Sequence, residues 1–567
     1  MFVREQEVKD AIVDEIIFRS MKVYPLSSSI LPLIISLDTD AIMNLQNVPE
    51  FDDYSTRCSL CNSFFNSYAT IHDHPSVWKC ALCNRVNTLP LPPSNSFDTG
   101  FSLAQKSIPY NNIVFDFVKQ PRNHKNQKPC IILAINSSLD RQILDKIPEG
   151  IDYSLEIDFI LIFFNAYVEI FDTQTNSFKV LLCESSDIFL PTSIDRMKMN
   201  STKLKSVLKT YIPPTRSDSN LSPLSAIVNE IKLEEPTRFV CFAKGPVQTM
   251  SSQIQYPTYL CFIGNQITKI GCFNSLINVP GSKFTIIDDS DLSKVLFFSQ
   301  KCFRTKIVKD LQIQFFMPKS LNKNNSLPNS RTAALERSNF SGSVLFSVAQ
   351  VELGYTEINE KSVKRIFSIK IPLTPHAKIY KSSTFKFPYR CLFSVCSYII
   401  DEIKKMSETQ QLFQIRGFIF ETAQRYPHEL LFKNFLFSLF RSKILDQGVD
   451  IYTRSGIVHM LSTLPIPNVF FYFVPLEYVN GKIEPAIPKP NKDAIARLTH
   501  DAVYILDSVE DPKSIVNSIA TAMDLLFIDS CVEVVQKLPD INNYSEEYNQ
   551  WENGWSKNTP KFNFTTV

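Results

Sequence analysis

The chain has 567 residues, 59 Lys+Arg against 57 Asp+Glu for a net charge of +2, and only 13 glycines. A chain this long divides into several domains, because single hydrophobic cores stop growing well below its length. The charge balance excludes a surface that is basic throughout, as a wholly nucleic-acid-binding protein would have. The sparse glycines form neither a Gly-x-Gly-x-x-Gly nor a phosphate loop.

The N-terminal stretch MFVREQEVKDAIVDEI is charged throughout and lacks the apolar centre of a signal peptide. Residues 24–50 read as a short extended segment that cannot bury itself and needs partners from elsewhere in the chain. Then come two Cys-x-x-Cys pairs, Cys58/Cys61 and Cys80/Cys83, with eighteen residues between them. Each pair aims two thiolates at one point, and two pairs facing each other complete the tetrahedron of a structural zinc site. Phe64, Phe65, Tyr68 and Trp78 supply a small core for such a ribbon. His72 and His74 lie between the pairs, but four cysteines leave no vacancy for them, and four thiolates close the site to catalysis. A Pro/Ser loop, LPLPPSNSFDTG, follows as a linker.

From about 107 to 304, apolar runs alternate with helical stretches. NNIVFDFV, CIILAIN, IDFILIFF, RFVCFA and FTIID read as strands covered on both faces. DRQILDKI, SIDRMKMNSTKLKSVLKTYI, SPLSAIVNEIKLEE and SDLSKVLFFSQKCF read as helices between them, which argues for a doubly wound α/β domain. A polar break over 318–342 precedes two strands with period-two alternation, SVLFSVAQVEL and KRIFSIKIPL. From 391 the chain reads as helical, through CLFSVCSYIIDEIKKM, TQQLFQIRGFIFETAQRY, PHELLFKNFLFSLFRSKIL and DIYTRSGIVHMLSTL. NVFFYFVPLEYV, AVYILDS and the helix DPKSIVNSIATAMDLLF form a small mixed domain, and the tail after Pro539 is polar.

Chemistry beyond the cysteine pairs is sparse. Asn136, Ser137 and Ser138 stand where a von Willebrand A-type domain carries an Asp-x-Ser-x-Ser metal motif, but Asn brings no charge to a divalent cation. The seven histidines have no Ser or Cys partner at motif spacing, and His459 reads as a buried helix residue. Asp288 and Asp289 read as a helix N-cap region rather than a catalytic edge. The clusters EKSVKR (360–365) and DEIKK (401–405) read as solvated faces, with some attraction for anionic lipid. The nine other cysteines, mostly in apolar surroundings, read as small buried hydrophobes of a reducing compartment. The longest apolar run, FILIFFNAYVEIF (159–171), is cut by Asn165 and Glu169 and is too short to span a bilayer. These features lead us to expect a cytoplasmic protein whose membrane contact is peripheral.

The succession of a zinc ribbon, an α/β trunk, a split β-sandwich, a helical region and a terminal α/β module resembles the COPII inner-coat family, of Sec-twenty-three and Sec-twenty-four type. The resemblance is carried by YSTRCSLCNSFFNSYATI and VWKCALCNRVNTLP at the knuckle, and by SIPYNNIVFDFV and KPCIILAIN at the start of the trunk. It is carried further by HELLFKNFLFSLFRSKILDQGVDIYTRSGIVHMLSTLPIPNVFFYFVPL and DAVYILDS. It implies the N-terminal part of a β-sandwich over 1–50, a zinc ribbon over 51–100, a vWA-like trunk over 107–304, and the rest of the sandwich over 305–387. A helical domain over 388–464 and a shortened gelsolin-like module over 465–567 complete the expected order.

The resemblance also implies structural Zn2+ on Cys58, Cys61, Cys80 and Cys83, no catalytic residues, and a coat subunit that is not itself a metabolic enzyme. The implied partners are a Sar-family GTPase, a Sec-twenty-four-type subunit, outer-coat subunits and acidic membrane at the endoplasmic reticulum and on COPII vesicles, in ER-to-Golgi transport. With 57 residues ahead of Cys58 and IIFRSMKVYPLSSS resembling that branch's opening strand, the expectation is a divergent Sec-twenty-three-type subunit. In that branch an arginine late in the gelsolin-like module enters the GTPase site and stabilises charge on the transferred phosphoryl group. Here no arginine follows Arg497, and the trunk also looks shortened; Arg416, Arg441, Arg454 and Arg497 are the positions left to scan for an activator's arginine. The alternatives are a cargo-adaptor-branch coat protein, a paralogue that binds the GTPase without activating it, and, more remotely, a zinc-ribbon nucleic-acid-binding protein. The last is disfavoured because residues 51–90 hold only Arg57, Lys79 and Arg85 as cations.

Overall fold

The computed structural model describes residues 47–52, 56–71, 77–88, 114–119, 128–165, 167–181, 190–212, 222–244, 254–264, 279–287, 292–318, 346–358, 361–372, 396–404 and 451–464, together with the further elements named below and single positions between them. The strands are β1 (Met21–Tyr24), β2 (Leu33–Leu37), β3 (Glu50–Asp52), β4 (Thr70–Ile71), β5 (Val77–Lys79), β6 (Val86–Thr88), β7 (Val114–Lys119) and β8 (Cys130–Asn136). They continue as β9 (Asp158–Phe164), β10 (Val168–Asp172), β11 (Ser177–Leu181), β12 (Lys198–Met199), β13 (Thr237–Lys244), β14 (Thr258–Ile263), β15 (Lys283–Ile287) and β16 (Lys309–Phe316). The last are β17 (Leu321–Lys323), β18 (Thr332–Arg337), β19 (Phe346–Thr356), β20 (Ser362–Pro372), β21 (Leu476–Val479), β22 (Lys482–Pro485), β23 (Val503–Asp507) and β24 (Val532–Val535). The helices are α1 (Thr39–Met43), α2 (Arg141–Lys146), α3 (Ile194–Met197), α4 (Ser201–Thr210), α5 (Ser222–Glu230), α6 (Leu292–Arg304) and α7 (Ile451–Thr463).

The largest sheet runs β11-β10-β9-β8-β13-β14-β15, with β12 also paired to β9. Its five strands from β9 to β15 are parallel, while β10, β11 and β12 join antiparallel. All seven residues of β8 are buried, which is why CIILAIN reads as a continuous apolar run rather than an alternation. Helices α2, α4 and α6 pack on one side of this sheet, where Leu144, Leu204, Phe298 and Phe303 share a core with Leu133, Phe159 and Phe242. The turn Pro148–Gly150 lies so close to α6 that a Cβ on Gly150 would stand 2.5 Å from Ser299 Cβ. Arg238, at the start of β13, caps the C-terminus of α6 by donating to the carbonyls of Cys302 (2.7 Å), Thr305 (3.0 Å) and Lys306 (2.7 Å). At the sheet's edge, the Phe284 N–H of β15 donates to Thr463 Oγ1 (3.1 Å), so α7 covers part of an otherwise open strand.

A second sheet has the order β16-β19-β20-β7-β3. Alternation along its strands creates two faces. Val114, Ala349, Val351 and Leu353 lie on one face with Ile42 and Met43 of α1. Phe115, Phe117, Val348 and Ile366 lie on the other, against the segment that carries the cysteine pairs. That segment holds a small sheet of its own, β4-β5-β6. Two further sheets, β1-β2-β18-β17 and β22-β21-β23-β24, draw on sequence-distant strands.

Four features differ from the sequence reading. The strand in NNIVFDFV belongs to the second sheet, where β7 pairs with β20 and β3, and not to the α/β sheet. Its inward Asp116 is the physical reason: Arg365 of β20 holds both carboxylate oxygens, at 2.8 and 2.7 Å, and both residues are buried. Arg365 is accordingly not part of a solvated EKSVKR face; it also donates to the carbonyls of Ile42 and Met43. The segment 193–212, expected as one helix, is broken into α3, β12 and α4, because Asn200 accepts from the Lys203 N–H (2.8 Å) and caps a new helix start. Strand β14, the hairpin β10–β11, and strands β17 and β18 inside the expected polar break over 318–342 were not anticipated.

Residues 396–404 are helical, as expected for CLFSVCSYIIDEIKKM. The expected helix DPKSIVNSIATAMDLLF and the polar tail lie outside the described residues. Among the described residues no helix is long and apolar enough to cross a membrane. Cys130, Cys241, Cys261, Cys302 and Cys396 are buried, as expected of small hydrophobes.

Candidate metal centre

The two cysteine pairs are the same local structure written twice. CSLCNS (58–63) and CALCNR (80–85) share the pattern Cys-x-Leu-Cys-Asn-x. In each, the first cysteine's N–H donates to the carbonyl of the sixth residue, Ser63 or Arg85, at 2.8 Å. The Asn N–H returns to the first cysteine's carbonyl, at 3.0 Å for Asn62 and 2.9 Å for Asn84. Closing so tight a knuckle requires a left-handed residue, and Asn62 (φ 59°) and Asn84 (φ 61°) fill the position, as Asn does at less strain than most side chains. The sequence reading missed this repeated asparagine, although it is visible in the sequence.

The knuckles bring the four thiols within 4.8 Å of one another, the one group of three or more His, Cys, Asp or Glu side chains so disposed among the described residues. The close contacts run between knuckles, with Cys58 and Cys83 sulfurs 3.4 Å apart and Cys61 and Cys80 sulfurs 3.6 Å apart. Tetrahedral Zn–S bonds of about 2.3 Å place thiolates about 3.8 Å apart, so the set fits a zinc ion. The thiols cannot all ionise without a counter-charge. Its contact with Cys80 draws Cys61 down to about 4, while the same contact and burial push Cys80 far up, and burial raises Cys83 to about 11. A dication is what lets four such sulfurs be thiolates together. His72 and His74 lie outside the described residues.

Polar groups of the chain surround the sulfurs. Ser63 Oγ lies 3.1 Å from Cys61 Sγ and 3.3 Å from Cys80 Sγ. The Leu82 N–H points at Cys80 Sγ (3.4 Å), and Asn87 Nδ2 at Cys58 Sγ (3.6 Å).

The centre is docked on the second sheet and does not stand alone. Phe65 and Trp78 pack edge to face inside the ribbon, with centroids 5.1 Å apart. Phe64 turns the other way, 5.1 Å from Phe117 and 6.0 Å from Phe316. The buried side chain of Gln350 imitates a neighbouring strand, accepting from Phe64 N–H (2.8 Å) and donating to Phe64 C=O (3.0 Å). Arg57 stacks on the outer face of Phe64 at 3.9 Å and pairs with Glu352 at 3.5 Å.

Among the described residues, the remaining sequence candidates form no second centre. At the C-terminal ends of β8 and β13, where the parallel strands change winding direction, Asn136 Oδ1 accepts from Ser138 N (2.8 Å) and Ser138 Oγ (2.6 Å). Lys244 pairs with Asp140 there at 3.0 Å, so the local carboxylate already has a cation. His459 is buried with neither ring nitrogen hydrogen-bonded. Asp289 is exposed ahead of α6, and Asp288 lies outside the described residues. Arg454 is buried and donates to Val449 C=O (3.0 Å), a poor position from which to enter a partner's site. Arg416, Arg441 and Arg497 lie outside the described residues.

A closed four-cysteine finger anchored to a β-sheet, in a chain that also holds a large mixed α/β sheet, is the class that this geometry defines. The family model of the Sec23/Sec24 zinc finger matches residues 56–91. The human COPII-coat protein Sec24c is similar in fold, with a TM-score of 0.67 at 12% identity over 95% of this chain and 95% of that one. A von Willebrand factor type A structure from Catenulispora acidiphila overlaps 62% of this chain and 96% of its own at 9% identity, but its TM-score of 0.34 carries no argument. No curated protein matches the chain in sequence. The chain thus carries a zinc finger of Sec23/Sec24 type over residues 56–91 and shares its fold with Sec24c.

Proposed function

We propose that this chain is a COPII-type vesicle coat subunit acting in ER-to-Golgi transport, with structural zinc on Cys58, Cys61, Cys80 and Cys83. The observation that carries the reading is the likeness to Sec24c over 95% of both chains. In this reading the protein binds a Sar-family GTPase and works through contacts with partner subunits and acidic membrane, performing no chemistry of its own. Zinc, when bound, supplies the charge and geometry that fix the two knuckles; the chain's residues do the rest by holding the ribbon on the second sheet.

A second reading, binding the GTPase without activating it or serving as a cargo adaptor, is favoured by the arginines. Residues 498–567 hold none, and Arg454 is buried. Flotation with acidic liposomes and a purified Sar-family GTPase tests the first reading. Recruitment with a non-hydrolysable GTP analogue and not with GDP is expected, and no recruitment in either state would remove it. Multiple-turnover GTP hydrolysis on the same liposomes separates the two readings, because only an activator accelerates it.

A further inference from the structure

We infer that Ser63 and Asn87 are positioning residues of the four-cysteine centre, donating hydrogen bonds that aim its sulfurs at the metal; this rests on the zinc reading above. Four thiolates around one dication carry a net charge of −2 into a site where Cys58 and Cys80 are buried. Ordinary knuckles relieve such charge with backbone N–H groups, and here Leu82 does so for Cys80. The two other donors are side chains. Ser63, fully buried, stands between Cys61 and Cys80, one from each knuckle. Its single hydroxyl proton can serve either sulfur, so it ties the two knuckles together where no backbone group does.

Asn87 is oriented from behind. Its Oδ1 accepts from both the N–H and the hydroxyl of Ser59, each at 3.0 Å, which commits its Nδ2 to donation toward Arg85 C=O (2.9 Å) and Cys58 Sγ. A ring of outer partners of this kind aims ligands and sets how tightly a metal is held. Ser63 is followed directly by Phe64, whose backbone is held by Gln350, so the donor at the sulfurs and the dock on the sheet are consecutive residues.

The test uses the full chain with the variants Ser63→Ala, Ser63→Thr and Asn87→Asp. Asn87→Asp keeps the acceptor for Ser59 while removing the donor. Zinc content, the rate of zinc transfer to a colorimetric chelator, and the thiolate-to-metal charge-transfer band of the Co2+-substituted protein are read together. A hydrogen bond lowers the energy of the sulfur lone pair, so losing it moves the band to longer wavelength. Ser63→Ala and Asn87→Asp are expected to shift the band that way and to speed zinc transfer about tenfold or more, with Ser63→Thr restoring both. Zinc loss in Ser63→Ala and Asn87→Asp at the wild-type rate, with an unmoved band, would overturn the inference while leaving the zinc reading intact. A wild-type chain that holds neither zinc nor Co2+ would overturn the zinc reading itself.

Discussion

Replacing Gln350 with Leu tests whether the ribbon is held on the second sheet by a side chain acting as a strand. The substitution keeps bulk in a fully buried position but removes bonds of 2.8 and 3.0 Å to the Phe64 backbone. The Phe64 carbonyl retains a partner, Asn66 Nδ2 at 3.1 Å, so of the ribbon's groups the Phe64 N–H is left buried and unpaired, while on the sheet Ser368 Oγ loses its bond from Gln350 (3.1 Å). Leaving one such donor unsatisfied costs about 1–3 kcal/mol. The ribbon's opening equilibrium should therefore rise by about 5- to 150-fold, at tenfold per 1.4 kcal/mol. Hydrogen exchange read by mass spectrometry on peptides spanning 56–71 measures that opening, and faster exchange there with β8 and β13 unaffected is the expected result. Unchanged exchange over 56–71 would show that the aromatic contacts alone hold the ribbon, and the reasoning would fail.

Three further perturbations probe other parts of the fold. Arg365→Met leaves Asp116 as an uncompensated buried carboxylate and should lower stability by about 3–5 kcal/mol in denaturant titration. Adding Asp116→Leu should restore much of that loss, and a double variant no better than the single would contradict the pair's role. Gly150→Ala places a Cβ 2.8 Å from the Gln300 nitrogen as well as against Ser299, so α6 must shift; a loss of about 1–3 kcal/mol is expected in thermal unfolding. His459 is held down to about 3, from an ordinary 6.5, by burial and then by the Lys404 charge. Its folded value lies below its unfolded one, so its contribution is complete above pH 6.5 and is lost as pH falls toward 3, by about 1.4 kcal/mol per pH unit at most. His459→Leu should flatten the melting-temperature profile between pH 6.5 and 5, and an unchanged slope would assign the acid sensitivity to other groups.

What could be read from the sequence divides by the range of the interactions concerned. Cys58, Cys61, Cys80 and Cys83 come together because each knuckle is closed by hydrogen bonds spanning no more than six residues, and spacing alone announces them. Strand β8 is equally local, since burial on both faces leaves an unbroken apolar run. Strand β7 has the same apolar look, but its sheet is chosen by Asp116 meeting Arg365, 249 positions away. The docking of the ribbon is hidden for the same reason: Gln350 is 286 positions from Phe64 and reads in sequence as one polar residue in an alternating strand. The break ahead of α4 was open to a closer reading, since Asn200 followed by Ser201 is a helix start written inside a helical pattern.

Native mass spectrometry of the full chain under reducing conditions tests the four-cysteine centre most directly. The mass should exceed that of the bare chain by one zinc ion, and Cys80→Ser should abolish the excess and raise proteolysis first within 54–100. A metal-free wild-type chain with its ribbon still protected from protease would contradict the account.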